Sequence, residues 1–154
     1  MPNRITKGQG LFGKVIVKAA DGLKVNDVVV PQHFYVPFVV AGGAAAADYD
    51  GVIPVPDACE IVAVRERHQT AGTDAGAVTV MLKKVPSGTA KASGTDTLAA
   101  GINLKAAADT NQSPALHATL ANLQLAAGDG LALVTTGTLA VVDGVAVTVK
   151  LKRI

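Results

Sequence analysis

Aromatic side chains are scarce in this chain. There is no tryptophan, and three phenylalanines and two tyrosines make up 3% of 154 residues. A stacking platform for single-stranded nucleic acid is therefore excluded. The formal net charge of +2 is too small to imply a nucleic-acid partner. Lysines and arginines are scattered, apart from the end that runs Lys150 to Arg153. One cysteine, Cys59, rules out an intramolecular disulfide. No apolar run approaches the ~18 residues of a membrane-spanning helix. No basic-plus-apolar leader opens the sequence, so the expectation is a soluble protein made in a reducing cytoplasm, with no membrane partner. Charged residues are 17%, below the usual quarter or so. Two accounts fit that figure: exterior buried against copies or a partner, or an Ala- and Thr-rich surface of small residues.

Apolar residues make up 49% of the chain, so its core must be built from Val, Leu, Ile and Ala. Their spacing is that of strands. From Val145 to Lys152, Val145, Val147, Val149 and Leu151 fall on one face, and Ala146, Thr148, Lys150 and Lys152 on the other. Residues Ala77 to Val85 repeat the scheme, with Val78, Val80 and Leu82 inward. The run from Cys59 to Val64 is apolar on both faces and then turns polar at Arg65-Glu-Arg-His68. It reads as a central strand that leaves the core at its far end. Shorter strands are expected at 14–18, 28–30, 35–40 and 131–136. Turn signals such as Asp50-Gly51, Ser87-Gly88, Ser93-Gly94 and Asp143-Gly144 separate them. Leu116, Leu120 and Leu123 have helical spacing, but Asn122 and the neighbouring threonines favour a strand across 114–125. Many short strands with frequent turns predict an all-β protein, an antiparallel jelly-roll-like β-sandwich with an extended N-terminal arm.

The first part of the chain differs. Gly8, Gly10, Gly13, Pro31 and Pro37 interrupt short apolar pieces, and Ala41 to Asp48 (AGGAAAAD) is low in complexity. Residues 1–48 are read as the arm and 49–154 as the body. The arm has apolar surface to hide, in its own sheet or a neighbour's.

Candidate sites are few. The stretch from Leu125 to Val134, LAAGDGLALV, sets an acid between two glycines. A phosphate loop would need a following helix, whereas Leu131 to Thr136 reads as a strand, so Gly128-Asp-Gly130 is a turn. His33, His68 and His117 are far apart, and none has a His or Cys partner at metal-ligand spacing. Cys59 opens an apolar strand and reads as a small core residue; pairing with His68 or His117 in a hydrolase is the alternative. Ser87-Gly88 has no nucleophile elbow around it. Asp48, Asp50 and Asp57 do not have EF-hand spacing, and their simpler role is to cap turns. Arg65 to His68 reads as a solvated strand end or an interface patch. No catalytic constellation, metal site or cofactor site is expected.

The run from Tyr49 to Val64 (YDGVIPVPDACEIVAV) resembles the opening of a module of tailed-bacteriophage head-decoration (capsid cement) and head-fibre proteins. Thr70 to Lys84 (TAGTDAGAVTVMLKK), Ser87-Gly-Thr-Ala90, Ser93-Gly-Thr-Asp96, Leu125-Ala-Ala-Gly-Asp129, Thr136-Gly-Thr138 and the last strand to Ile154 fit the same module. The resemblance spans roughly residues 49–154. It implies a jelly-roll-like body, a homotrimer, the outer capsid surface of a virion and no catalytic residue. The major capsid protein is then the expected partner. Ile5, Leu11, Phe12, Phe34, Tyr35 and Phe38 in the arm, with Arg65 and Arg67, are the expected contacts to capsid or subunit. A second expectation is a carbohydrate-binding jelly-roll module of a phage fibre, for which exposed aromatics would be needed.

Overall fold

A computed structural model describes residues 15–18, 22–25, 28–29, 32–40 and 51–154. The chain divides into two compact units between Gln32 and His33. In the first unit, β1 (Val15–Lys18), β2 (Gly22–Val25) and β3 (Val28–Val29) form an antiparallel meander, with Lys18 opposite Gly22 across the first turn. The expected arm is therefore divided. Its N-terminal strands pair with one another, while residues 33–40 belong to the second unit.

The second unit begins with β4 (His33–Val40), β5 (Val52–Pro54), β6 (Cys59–Arg67) and β7 (Thr79–Val85). It continues with β8 (Thr95–Asp96), β9 (Ile102–Asn103), β10 (Gln124–Leu125), β11 (Gly130–Thr136) and β12 (Val145–Arg153). Every pairing is antiparallel, and the pairings nest. Strand β4 lies against β12, β5 against β11, β6 against β10, and β7 against β8. The long hairpin these pairs make is rolled, so that β12 also pairs β6 and β11 also pairs β7. Two sheets result, β10-β6-β12-β4 and β5-β11-β7-β8, with β9 beside β7. That is the nested connectivity of a jelly roll, here a four-stranded and a five-stranded sheet closing on one core.

The core is what the period-two patterns predict. Val145, Val147, Val149 and Leu151 are all buried, and they face Val80, Leu82, Leu131 and Leu133 of the other sheet's strands in one apolar cluster. Each such side chain contributes about 1.5–3 kcal/mol when fully buried. Strand β6 needs a correction. Its inward residues are Cys59 and Ile61, then Val64 and Glu66, and after the strand His68. The register against β12 shifts between Lys150 and Leu151, which leaves Val62 as the extra residue of a β-bulge. The bulge switches the parity of β6. It makes Cys59 to Val64 look apolar on both faces, although Glu60, Val62 and Ala63 are only half-buried. The strand also does not leave the core at Arg65: pairing continues to Arg67, and Glu66 and His68 point inward.

The segment before β10 corrects a second expectation. Leu120–Leu123 form one helical turn, α1, and only Gln124 and Leu125 pair as a strand. Lys84 stabilises this corner. Its ammonium donates to the carbonyls of Ala121, at 2.6 Å, and Gln124, at 3.0 Å. The Gly128-Asp-Gly130 stretch is a turn, as read, and it carries the chain from one sheet to the other. Gly128 has φ +88°, and the Asp129 carboxylate accepts the Ala126 N–H at 2.9 Å. That carboxylate serves the turn's own backbone. Among the described residues, no helix is long and apolar enough to cross a membrane.

Candidate interaction surface

The outer face of the β4–β12–β6 sheet is built in four rows by the strand registers. Val39, Ala146 and Arg67 lie side by side; then Pro37, Thr148 and Arg65; then Tyr35, Lys150 and Ala63; then His33, Lys152 and Glu60. Neighbours across antiparallel strands share a face, so each row is a surface strip. Val39 is 81% exposed and Tyr35 60%. They are the most exposed large apolar side chains among the described residues.

Among the described residues, strand β4 is also the last strand of its sheet. The other described edge strands, β10, β5, β8 and β9, are two or three residues long, whereas β4 runs eight. Its sequence from Phe34 to Val40 carries no charge. Short or charged edge strands protect a sheet from unwanted pairing, and β4 has only Pro37 in that role.

The expected contact residues separate on this geometry. Tyr35 and the side chains of Arg65 and Arg67 reach the outer face. Phe34 and Phe38 turn to the other side of β4 and pack, half-buried, against the core. Ile5, Leu11 and Phe12 lie outside the described residues. Tyr35 is the exposed aromatic ring among the described residues, which gives one ring rather than the platform a sugar site would use.

Beneath Arg67 lies a polar cluster where the sequence led us to expect a solvated strand end or an interface patch. Glu66 and His68 are buried, at 1% and 0% exposure. His68 Nδ1 lies 2.9 Å from Glu66 Oε1, and Nε2 lies 3.1 Å from the Ala106 carbonyl. Gln112 donates its side-chain amide to Glu66 Oε2 at 2.6 Å and to the Asn103 carbonyl at 2.9 Å. Its backbone exchanges two hydrogen bonds with Glu66. Asp109, with φ 58°, donates its N–H to the His68 carbonyl and binds the Arg67 guanidinium at 3.0 Å. The cluster thus ties the 103–112 loop to the end of β6. The signal was present in the sequence: in Arg65-Glu-Arg-His68 the alternation continues, with the two cations on one parity and Glu66 and His68 on the other.

The remaining chemical candidates are engaged structurally. His68 is partnered by Glu66 and Ala106, so its ring nitrogens do not serve Cys59. Cys59 is fully buried, and burial, with smaller contributions from Asp57 and Asp129, pushes its thiol up from the usual value. Asp57 binds Arg153 at 2.7 Å, and His117 Nδ1 accepts the Thr119 N–H at 3.0 Å. Asp48 and Asp50 lie outside the described residues. Among the described residues no three His, Cys, Asp or Glu side chains gather as a metal site would require.

No family model and no curated protein matches the chain. Among solved structures, it is similar to a chain titled "Cyanophage Pam1 capsid asymmetric unit", at 13% identity over 100% of both chains and a TM-score of 0.47. At that score the likeness does not bear on function.

Proposed function

We propose that this chain is a non-catalytic structural protein of a virion, a capsid decoration protein that binds the outer surface of a phage head as a homotrimer. The observation that carries this reading is strand β4, which ends its sheet among the described residues. An eight-residue, uncharged edge strand that displays Val39 and Tyr35 is a surface that assembly would cover. The jelly-roll connectivity and the resemblance of residues 49–154 to head-decoration proteins support it.

The physical logic is linkage. A protein that binds several shell subunits only in their expanded arrangement stabilises that arrangement. A trimer presents three copies of each contact, so modest contacts sum through avidity. A closed threefold contact also protects sheet edges.

Two measurements test the reading. Light scattering on a sizing column is expected to give three times the 15.5 kDa chain mass. Co-sedimentation with expanded shells of a phage major capsid protein from the same genome is expected to deplete the protein from solution. A stable monomer that stays in the supernatant would overturn the proposal.

A further inference from the structure

The cations of the body are not used evenly. Lys83 pairs with Asp96 at 2.7 Å and Arg153 with Asp57 at 2.7 Å. Lys84 and Lys105 donate to backbone carbonyls. Arg67 is held by Asp109. Three others have no carboxylate within ion-pair distance among the described residues: Arg65, Lys150 and Lys152. All three lie on the outer face of the β4–β12–β6 sheet, in consecutive rows of its register. Arg65 spends one guanidinium nitrogen on the carbonyl of its own neighbour, Val64, at 3.1 Å. Lys150 and Lys152 are half-buried on this face. The acids on the same rows are few. Asp109 is taken by Arg67, and Glu60 is the one carboxylate set directly across from Lys152.

We infer that this face is the one that docks, and that its partner is an acidic protein surface flanked on one side by an apolar strip. The inference rests on the decoration reading and names the chemistry of the shell surface that reading requires. Tyr35 and Val39 supply the apolar contact along the β4 side, and Arg65, Lys150 and Lys152 supply the charge beside it. Arg65 and Lys150, whose rows hold no carboxylate, are cations held within one rigid sheet that attract a carboxylate-bearing patch and set its register. The same cations disfavour a twofold contact of this face with itself, because like charges would meet across the axis. Pro37 adds a geometric reason. It interrupts the donors of β4, so docking through the side-chain face is favoured over addition of a full-length strand to the edge.

The test is the doubly charge-reversed chain Arg65→Glu/Lys150→Glu, with Lys105→Ala as a control on a loop outside this face. Binding to expanded shells is measured by co-sedimentation across a series of NaCl concentrations, alongside native mass and melting midpoint. Wild-type affinity is expected to fall as salt rises. The double variant is expected to keep its mass and midpoint and to bind at least tenfold more weakly at low salt, and the control to bind like wild type. Should the double variant unfold, Arg65→Gln/Lys150→Gln removes the charges without reversing them and is expected to show the same order of binding. Undiminished binding by the folded variant would overturn the docking face while leaving the decoration reading in place. A loss of native mass in the variant would also overturn it, because the face would then join subunits. Failure of the wild-type chain to bind shells at all would remove the decoration reading and this inference with it.

Discussion

His68 Nδ1 and Glu66 Oε1 are 2.9 Å apart, and neither side chain is open to solvent. The ring's other nitrogen faces the Ala106 carbonyl, an acceptor. Both nitrogens therefore face hydrogen-bond partners, and Gln112 supplies one to the other carboxyl oxygen of Glu66, which makes the burial of the pair tolerable. Removing one member leaves the other buried without its partner. Glu66→Ala is expected to cost about 3–5 kcal/mol. The double variant Glu66→Leu/His68→Leu is expected to cost less than Glu66→Ala alone, since it removes the polar demand as well as the supply. Urea unfolding of the two variants checks this; equal or additive losses would refute it.

Cys59 is sealed under the β10 and β12 ends of its sheet, opposite Leu125 and Arg153. The raised thiol and the absence of solvent contact predict that iodoacetamide modifies it at pH 8 only when the protein unfolds. The pH dependence has a definite sign. A group whose folded value is raised contributes stability that is fully present below its unfolded value, 9.0 here, and is lost as pH rises from there through the folded value. The urea midpoint of wild type is expected to fall above pH 9.0, and that of Cys59→Ala to fall less over the same range.

Two glycines with positive φ differ in what surrounds them. Gly128, at φ +88°, has open space where a Cβ would stand. Gly137 has the same φ, but its Cβ would run into the backbone carbonyl of Ala77. Gly128→Ala is expected to cost about 1 kcal/mol, the strain of the left-handed region alone. Gly137→Ala adds a backbone clash that a side-chain rotation cannot relieve, and is expected to cost at least ~2 kcal/mol. Thermal melts of the two variants should fall in that order.

Strand β12 was fully legible because one rule governs its whole length: period two from Val145 to Leu151 with small or charged residues between. Strand β6 was legible only in part. The bulge at Val62 shifts which parity faces the core, and a single sequence gives no separate mark of that shift. Once Glu66 and His68 are inside, the reason they are tolerated lies in Gln112 and Ala106, some forty residues away, where local patterning has no reach. The same limit explains β4. Its apolar character was readable, but its place beside the last strand is a long-range pairing, and the interrupting Pro31 and Pro37 with the low-complexity stretch from Ala41 to Asp48 grouped it with the arm. The turn at α1 shows local and tertiary effects competing. Leu123 is buried, while Leu120 stays half open to solvent, so the helical spacing there spans less than two turns before β10 takes over.

Val39 separates the apolar part of the proposed docking from its charge. At 81% exposure it contributes little to folding, so Val39→Ser is expected to leave stability within about 0.5 kcal/mol. Covered by a partner, the same side chain is worth about 1–2 kcal/mol, which corresponds to roughly a fivefold to thirtyfold loss of shell affinity on substitution. That loss should be the same at low and high salt, because removal of apolar area from water is not screened by mobile ions. The defect of Arg65→Glu/Lys150→Glu should instead shrink as the salt concentration rises and the Debye length contracts. Binding isotherms of the two variants at two NaCl concentrations distinguish the contributions. A Val39→Ser defect that vanished in high salt would mean that the β4 edge is not covered in the bound state.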